Sequence, residues 1–417
     1  MSRNLAVSPA RIAADIDALA AITDPNRPWT RRAFSPLFLE GRAYLENAFR
    51  AAGLETRIDA AGNLVGARKG RTPGIGTIML GSHSDTVPDG GRFDGVAGVV
   101  VALEVARGLE EAGIELEHDL EVTDFLAEEV SIFGVSCIGS RGMAGVRPDE
   151  WLGRKADSMT LAEGIRDVGG DPDAEQKARD DIRAFLELHI EQGPVLEGET
   201  LDIGVVTAIA GITRVEIIVE GRADHAGTTP MNRRADALAA AAHAVLAVET
   251  LSSALAATPG HFAATTGEFE MWPNAANVVP SRVRMLLDIR SEHRDDLGDF
   301  LTSLEAVLEG IARDNGVSIA PPRLVSDNPA MPMDDLVMDA LDAACQTTGA
   351  GHRRMASGAG HDAAFMARIA RAGMVFIPCR DGRSHAPEEF AENADIALGA
   401  EVLLQAVKRL DTQLMEQ

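Results

Sequence analysis

The chain of 417 residues is poor in several residue types that mark particular classes of protein. Its three cysteines, Cys137, Cys345 and Cys379, are far apart and lack CxxC spacing, which argues against a disulfide framework and a thiolate zinc site. Aromatic residues make up 4% of the sequence, so aromatic stacking is not expected to dominate recognition. Basic residues number 39 against 64 acidic ones, and the net charge of −25 argues against nucleic acid or anionic membrane as partner.

Long apolar runs are also scarce, and no run approaches the length of a membrane span. The N-terminal segment MSRNLAVSPARIAADIDALA is typical of an amphipathic helix with acidic residues rather than of a signal peptide. We therefore expect a protein of the reducing cytoplasm. The hydrophobic content of 46% and the 40 glycines suit a globular α/β protein, and the length predicts two domains.

Hydrophobic patterning predicts two different architectures along the chain. Thr77–Leu80 is a fully apolar strand, as expected inside a mostly parallel sheet flanked by helices, and Leu120–Leu126 and Ala184–Ile190 follow as further strands. From Gly211 the order becomes strand–helix–strand–strand–helix–strand, the split βαβ arrangement. The prediction is an α/β domain of residues 1–210 and 328–417, interrupted by an α+β, ferredoxin-like domain of residues 211–327.

The stretch GSHSDTVPDGGRFDGVAGVV, residues 81–100, combines groups that suit metal binding. His83 offers an imidazole nitrogen and Asp94 a carboxylate, both ligands of divalent metals. Asp85 is placed to hold the other imidazole nitrogen of His83 and fix its tautomer. An ordinary strand, turn and helix start, with Asp94 as the cap, would explain the same pattern. The metal interpretation therefore depends on ligands further along the chain.

Further candidate groups follow the predicted strands in turns rich in Gly, Ser and Asp. They are Glu128 and Glu129, His189 of HIEQG, His225 of GRADHAGTTPMNRR, His361 of SGAGHDA and His385 of SHAPEE. Loops at the carboxyl ends of strands carry sites in open α/β sheets. Taken singly, a Glu pair is also compatible with a solvated turn and a turn histidine with the surface. His361 stays ambiguous because Asp362 could cap the following helix.

Taken together, these motifs resemble the di-metal amidohydrolases related to aminoacylases and carboxypeptidases. HIEQGPVLE, GRADHAGTTPMNRRADAL, NAANVVP and SGAGHDA further resemble the hydantoinase/carbamoylase branch. That branch includes N-carbamoyl-L-amino acid hydrolases, allantoate amidohydrolases and β-ureidopropionases. The resemblance extends from about Thr30 to His385, with the motifs in matching order. It implies a di-zinc exopeptidase-like fold in which the inserted domain is a lid and dimerisation domain.

The resemblance also implies a set of metal ligands. Asp94 would bridge two divalent ions, which nitrogen and oxygen ligation allows to be Zn, Mn, Co or Ni. His83 and His189 would complete one site. Glu129 and His385 would complete the other.

The catalytic and substrate roles follow from the same resemblance. Glu128 would be the general base, moving a proton from the metal-bridging water to the leaving nitrogen, with Asp85 as a further catalytic residue. His225, contributed by the partner subunit of a homodimer, would donate to the oxyanion. The implied substrate contacts are Gln192, His225, Asn277, Arg290 and Gly360. A strand-edge salt bridge for Arg290 and a turn position for Asn277 are the structural alternatives.

The resulting prediction is a metal-dependent amidohydrolase that splits N-carbamoyl-L-amino acids into the free amino acid, CO₂ and ammonia. Allantoate or β-ureidopropionate is an alternative substrate that the shared motifs do not separate from the first. An aminoacylase or dipeptidase is disfavoured by HIEQG and by the pair Asn277 and Arg290. A non-catalytic binding protein is disfavoured because all five ligands and Glu128 are present.

Overall fold

The computed structural model describes residues 7–416, which form two compact units. The larger unit comprises the residues up to Thr207, Pro332–Arg354 and the residues from His361 onward; the smaller comprises Ala208–Met331 and Met355–Gly360. The return of the chain to the smaller unit at Met355 has no signal in the sequence pattern. Residues 1–6 of the predicted N-terminal amphipathic segment lie outside the described residues.

Helices and strands alternate along the chain, as the patterning predicts. The α-helices are α1 (Pro9–Ala21), α2 (Pro36–Ala51), α3 (Val96–Glu111), α4 (Ile138–Met143), α5 (Leu161–Asp167), α6 (Val195–Glu199), α7 (Ala237–Ala256), α8 (Arg294–Asn315), α9 (Asp335–Thr348), α10 (Ala363–Met366) and α11 (Asn393–Met415). Short 3-10 helices lie at Asp149–Gly153, Met231–Arg233 and Arg380–Gly382.

The strands fall into two main sheets and one short hairpin. They are β1 (Glu55–Ile58), β2 (Leu64–Arg68), β3 (Thr77–His83), β4 (Asp119–Phe125), β5 (Lys155–Ala156), β6 (Met159–Thr160), β7 (Ile182–Ile190), β8 (Ile203–Ile209), β9 (Gly211–Glu220), β10 (Phe262–Trp272), β11 (Arg282–Ser291), β12 (Ser318–Ile319), β13 (Arg323–Asn328), β14 (Met331–Pro332), β15 (His352–Ser357) and β16 (Arg371–Ile377). The sequence pattern did not predict β13, β14 or β15.

The nine-stranded sheet has the order β1-β2-β4-β3-β7-β16-β8-β14, with β15 beside β8. Its central strands β4, β3, β7 and β16 run parallel; for example, Ile78 of β3 pairs with Leu120 of β4 and with Ala184 of β7. Helix α3 follows β3 and has a largely buried surface. Parallel strands point their carboxyl ends the same way, so the residues that end β3, β4 and β7 meet at one edge.

The smaller unit is built on an antiparallel sheet of order β10-β11-β9-β12, with β13 also paired to β9. Together with α7 and α8 this is the split βαβ order, so the predicted fold class is confirmed for both units. Side chains from the sheet and from both helices share one apolar core, which includes Ile217, Ala241, Met285 and Phe300.

Helix α7 differs from the sequence expectation that no segment resembles a membrane span. Among the described residues it is the one helix whose length and apolar composition would allow it to cross a membrane. Ala237, Ala240, Ala244 and Val248 on its inner face belong to the core of the smaller unit. The same composition is found in core helices of globular proteins.

Two further observations concern cysteines and the predicted helix near residue 362. Cys137, Cys345 and Cys379 are all free and buried. The helix is only one turn long, Ala363–Met366, and the Asp362 side chain makes no capping hydrogen bond. Instead, one Asp362 carboxylate oxygen accepts a hydrogen bond from the Ser140 hydroxyl. The capping interpretation of Asp362 was therefore wrong.

The packing of α3 on the sheet generates a stability prediction. A methyl group at Gly98 would overlap the Leu188 carbonyl oxygen and crowd the Ser82 side chain, whereas Gly298 in α8 is exposed and has open space around it. We expect Gly98→Ala to destabilise the fold by about 1–3 kcal/mol. Gly298→Ala should stabilise it by about 0.5–1 kcal/mol, because alanine is the better helix former. Calorimetric unfolding of both variants measures this, and equal shifts in unfolding temperature would contradict the packing argument.

Candidate metal centre

The first group of candidate ligands lies where β3 and β7 end. β3 ends with His83, β7 carries His189 one residue before its end, and the loop before α3 carries Asp94. All three are buried, and their ligand atoms lie within 4.8 Å of one another. The Asp94 Oδ1 atom is 3.0 Å from His189 Nε2 and 3.7 Å from His83 Nε2.

The second group uses the other oxygen of the same aspartate. His385 Nε2 lies 2.9 Å from Asp94 Oδ2 and 3.0 Å from Glu129 Oε1. These ligand atoms also lie within 4.8 Å of one another. Asp94 therefore faces one group with each carboxylate oxygen, which is the arrangement that a carboxylate shared by two ions needs.

The donor set fits two divalent cations. Imidazole nitrogens and carboxylate oxygens are ligands that Zn, Mn, Co and Ni accept. Two carboxylates and three histidines could form ion pairs without any metal, but here Asp94 is common to both groups and is buried among the histidines. The predicted ligands are thus brought together by the fold, and two groups with one shared carboxylate are what the sequence resemblance implies.

Glycine at position 95 allows Asp94 to approach the histidines. Gly95 has a φ of 64°, in the left-handed region, and a methyl group there would overlap the His83 ring. Gly95 also stands at the N-cap of α3. The close approach therefore requires glycine at this position for both conformational and steric reasons.

Backbone carbonyls orient the two buried histidines. His83 Nδ1 donates to the Asp85 carbonyl oxygen at 3.0 Å, and His189 Nδ1 donates to the Ile190 carbonyl oxygen at 2.9 Å. Each bond holds the ring so that Nε2 faces the ligand group. The expectation for Asp85 needs correction, because its carboxylate is 3.6 Å from His83 Nδ1 and instead accepts from the Glu128 amide at 3.2 Å.

Glu128 lies against this cluster without belonging to either ligand group. Its Oε2 atom is 3.6 Å from His83 Nε2, and its side chain is 11% exposed. Burial raises the pKa of Glu128 well above its ordinary value, and the neighbouring Glu129 adds to the rise. A carboxylate with a raised pKa beside a reaction site suits proton transfer near neutral pH.

Opposite charges stabilise the ligand cluster. Hydrogen bonds to Asp94 and Glu129 raise the pKa of His385 to about 10. Burial alone would raise the pKa of Asp94, but hydrogen bonds from His189 and His385 hold it well below its ordinary value. Cations that bind here displace protons from the histidines, because a metal needs the neutral imidazole.

Gln192 also lies at this cluster. Its Nε2 donates to Asp94 Oδ2 at 3.2 Å and to the Ser384 hydroxyl oxygen at 3.1 Å. Its backbone has a φ of 57°, in the left-handed region, two residues after the end of β7. The structure therefore brings Gln192 together with the candidate ligands.

The other predicted residues lie in the smaller unit. His225 is exposed, accepts a hydrogen bond from the Gly227 amide at 3.1 Å and forms an isolated bridge with Val278, next to the exposed Asn277. The fold thus brings the segments of His225 and Asn277 together.

Arg290 is held by two bonds within the smaller unit. Its Nε donates to Asp288 at 3.0 Å and its Nη1 donates to the Gly358 carbonyl oxygen at 2.6 Å. The structural alternative for Arg290, a salt bridge at a strand edge, therefore accounts for one of these two bonds, the one to Asp288. Gly360 follows two residues later, and a side chain there would meet no atom within 4 Å.

Several buried polar residues near the cluster were not predicted. Glu187 accepts from the Ser82 hydroxyl at 2.7 Å and from the Ala363 amide. His361, a candidate that the sequence left ambiguous, has its ring 4.6 Å from that of His189. A charged residue within the apolar strand AFLELHI was the available signal for Glu187. Glu389 accepts from the amides of Phe93 and Asp94, although the sequence interpretation of SHAPEE assigned only its histidine.

The shared carboxylate generates a prediction about metal stoichiometry. His385→Ala should abolish binding of one divalent ion and leave the other, because it removes a ligand from one group only. Asp94→Asn should weaken binding of both ions. Elemental analysis of protein dialysed against Zn²⁺ or Mn²⁺ measures the stoichiometry. Exposed His243 on α7 offers a control, since His243→Ala should retain both ions; loss of two ions in His385→Ala would contradict two separable sites.

Comparison with known proteins places the chain in a family. Residues 79–409 match peptidase family M20/M25/M40. An N-carbamoyl-L-amino-acid amidohydrolase of Paenarthrobacter aurescens is 38% identical over 96% of this chain and 98% of its own length. A ureidoglycolate hydrolase of Oryza sativa is 37% identical over 95% of this chain and 84% of its own length.

A solved structure gives the same result. The hydantoinase/carbamoylase family amidase of Burkholderia multivorans has a TM-score of 0.90 and 37% identity, covering 97% of this chain and 98% of that one. These findings confirm the family resemblance that the motifs indicate and the class of enzyme, a hydrolase of amide or ureido C–N bonds. The chain belongs to peptidase family M20/M25/M40 and, within it, is similar to the hydantoinase/carbamoylase amidases.

Proposed function

We propose that this chain is a metal-dependent amidohydrolase that cleaves the carbamoyl C–N bond of N-carbamoyl-L-amino acids. The observation that carries the proposal is the pair of ligand groups joined by Asp94, with the buried carboxylate of Glu128 beside them. The similarity to the amidohydrolase of Paenarthrobacter aurescens supports the choice of substrate. Allantoate, ureidoglycolate and β-ureidopropionate are the alternative substrates. All of them are ureido acids, and the similarity to the Oryza ureidoglycolate hydrolase supports this substrate class.

In the proposed mechanism, His83, Asp94 and His189 would hold one ion, and Asp94, Glu129 and His385 would hold the other. When bound, the ions supply Lewis-acid chemistry, lowering the pKa of a water and polarising the substrate carbonyl.

Glu128 would accept the proton of the attacking water and deliver it to the nitrogen that leaves. The carbonyl carbon gains the water oxygen and loses the amino nitrogen, so the amino acid departs and the remaining carbamic acid decomposes to CO₂ and ammonia. Asp85 would support Glu128 by accepting its amide hydrogen bond. General base catalysis of this kind contributes about 10²–10⁴-fold to the rate.

We propose that four residues, in addition to His225, recognise the substrate. Gln192 would contact the ureido head, and the backbone of Gly360 would offer it a further polar group. Asn277 and Arg290 would hold the carboxylate. Asp288 and Gly358 bind Nε and Nη1 of Arg290, so Nη2 is the nitrogen it would present. The guanidinium of Arg290 would supply the local positive charge that lets a chain of net charge −25 accept an anionic acid.

His225 is proposed to donate a hydrogen bond to the developing oxyanion from the partner subunit of a homodimer. Its exposure in the isolated chain is compatible with that role. We further propose that the enzyme acts in the cytoplasm with two ions chosen from Zn, Mn, Co and Ni.

A hydrolysis panel tests the function. It compares N-carbamoyl-α-amino acids, N-carbamoyl-β-alanine, allantoate, ureidoglycolate and N-acetyl amino acids, each with Zn²⁺, Mn²⁺, Co²⁺ or Ni²⁺. We expect the highest kcat/KM for an N-carbamoyl-L-amino acid. A preference for N-acetyl amino acids would instead identify an aminoacylase, and no turnover of any compound would contradict the proposal.

Glu128→Gln provides the mechanistic prediction. The amide cannot accept the proton, so kcat should fall about 10²–10⁴-fold or more while both ions remain bound. Glu129→Gln is the matched comparison, because it removes a proposed ligand and should lower metal content as well. Full turnover by Glu128→Gln would exclude this residue as the base.

A complementation experiment tests the role of His225 in a dimer. His225→Ala and Asp94→Asn homodimers should each be inactive for different reasons. If the histidine acts across subunits, mixing and reannealing the two proteins should restore activity in one site of each heterodimer. Activity that stays absent, with heterodimers demonstrated by differential tagging, would count against a composite site.

A further inference from the structure

Glu389 is a buried carboxylate that neither the ligand groups nor the proposed catalytic steps use. It lies four residues after His385, at the end of SHAPEE, and is 2% exposed. Burying a carboxylate is unfavourable unless hydrogen-bond donors compensate for the lost water. The groups that donate hydrogen bonds to Glu389 therefore indicate which parts of the structure it holds in place.

One carboxylate oxygen of Glu389 binds the loop that carries the shared ligand. Oε1 accepts hydrogen bonds from the Phe93 amide at 2.9 Å and from the Asp94 amide at 3.0 Å. Two successive backbone N–H groups thus converge on one oxygen. Because the Asp94 amide is fixed, the backbone that directs its carboxylate between the two ligand groups is fixed as well.

The other oxygen binds the segment that carries His385. Oε2 accepts a hydrogen bond from the Ser384 hydroxyl at 2.8 Å, and Ser384 Oγ also lies 3.3 Å from Asp94 Oδ2. A single carboxylate therefore connects the loop of Asp94 with the loop of His385. These two residues are two of the three ligands of the second group, and Glu129 is the third.

Gly91 provides an independent observation of the same connection. A methyl group at this position would overlap the Glu389 carboxylate. The loop before Asp94 therefore closes directly onto Glu389, and only glycine leaves room for it.

We propose that Glu389 is a positioning residue of the metal centre, which holds Asp94 and His385 in their relative geometry. The proposal rests on the proposed metal-dependent function. The ion held by Asp94, Glu129 and His385 depends on both connected loops. The ion held by His83, Asp94 and His189 depends on only one of them, so the first of these sites should be more sensitive to loss of Glu389.

Cobalt titration of the metal-free protein tests the proposal without substrate. The visible absorption of bound Co²⁺ measures how tightly each equivalent binds, and elemental analysis measures how many ions are bound. In Glu389→Ala, one of the two equivalents should bind about 10–100-fold more weakly, the usual effect of removing a residue that orients a ligand. Glu389→Gln keeps an oxygen that can accept from the two amides. This variant should therefore bind the affected Co²⁺ equivalent more tightly than the alanine variant does.

Glu388→Ala is the matched control. Glu388 precedes Glu389, but its side chain is 61% exposed and pairs only with Arg383 at 3.2 Å among the ion pairs of the described residues. This variant should bind both equivalents as the wild type does. In Glu389→Ala, excess metal should restore kcat with KM within about twofold, because Glu389 does not touch substrate in the proposed mechanism.

Gly91→Ala keeps the test informative if Glu389→Ala fails to fold. As a single substitution, Gly91→Ala should displace the Glu389 carboxylate and so weaken binding of the same Co²⁺ equivalent. Combined with Glu389→Ala, it should cause little further loss of Co²⁺ affinity, because the carboxylate that it would displace is already absent. Wild-type cobalt binding by Glu389→Ala or Gly91→Ala, or fully additive losses in the double variant, would overturn the proposal. Wild-type protein that binds two Co²⁺ but hydrolyses no ureido acid would overturn the proposed function alone.

Discussion

The candidate site depends on one carboxylate that faces two groups of ligands. Each oxygen of Asp94 contacts a different set of side chains, so both groups depend on this one residue. Isolated charges are costly to bury, and Asp94 stays ionised because histidines surround it. The left-handed glycine behind it, the parallel strand ends and the closing loop all serve to place this side chain.

The sheet explains why residues distant in sequence meet at Asp94. β3 and β7 are adjacent and parallel, so His83 and His189 reach the same edge, and β4 brings Glu128 and Glu129 there after a short turn. His385 arrives on the loop after β16, which lies beside β7. Parallel pairing turns positions far apart in the chain into neighbours, and Asp94 joins them from the loop that leads into α3.

Patterning predicted most of this fold because its central strands are mostly apolar and the strands of its second domain alternate apolar and polar residues. The ligands could be identified because their motifs occur together in a family order. Other features have no local signal: the short strands β13–β15, the return of the chain at Met355, and the actual partner of the His83 ring, a backbone carbonyl rather than the Asp85 side chain. Buried contacts such as Asp362 with Ser140 depend on tertiary packing, which periodicity does not reveal.

The three cysteines have a consequence for experiments on this enzyme. All are buried, and burial raises the pKa of Cys345 and of Cys379 to about 12, so their thiols stay protonated and react poorly with alkylating reagents. A cysteine introduced at an exposed position, such as Leu246 on α7, would therefore be the preferred site for a label among the described residues. One such label on each unit would allow their separation to be followed by fluorescence energy transfer without removing any native thiol.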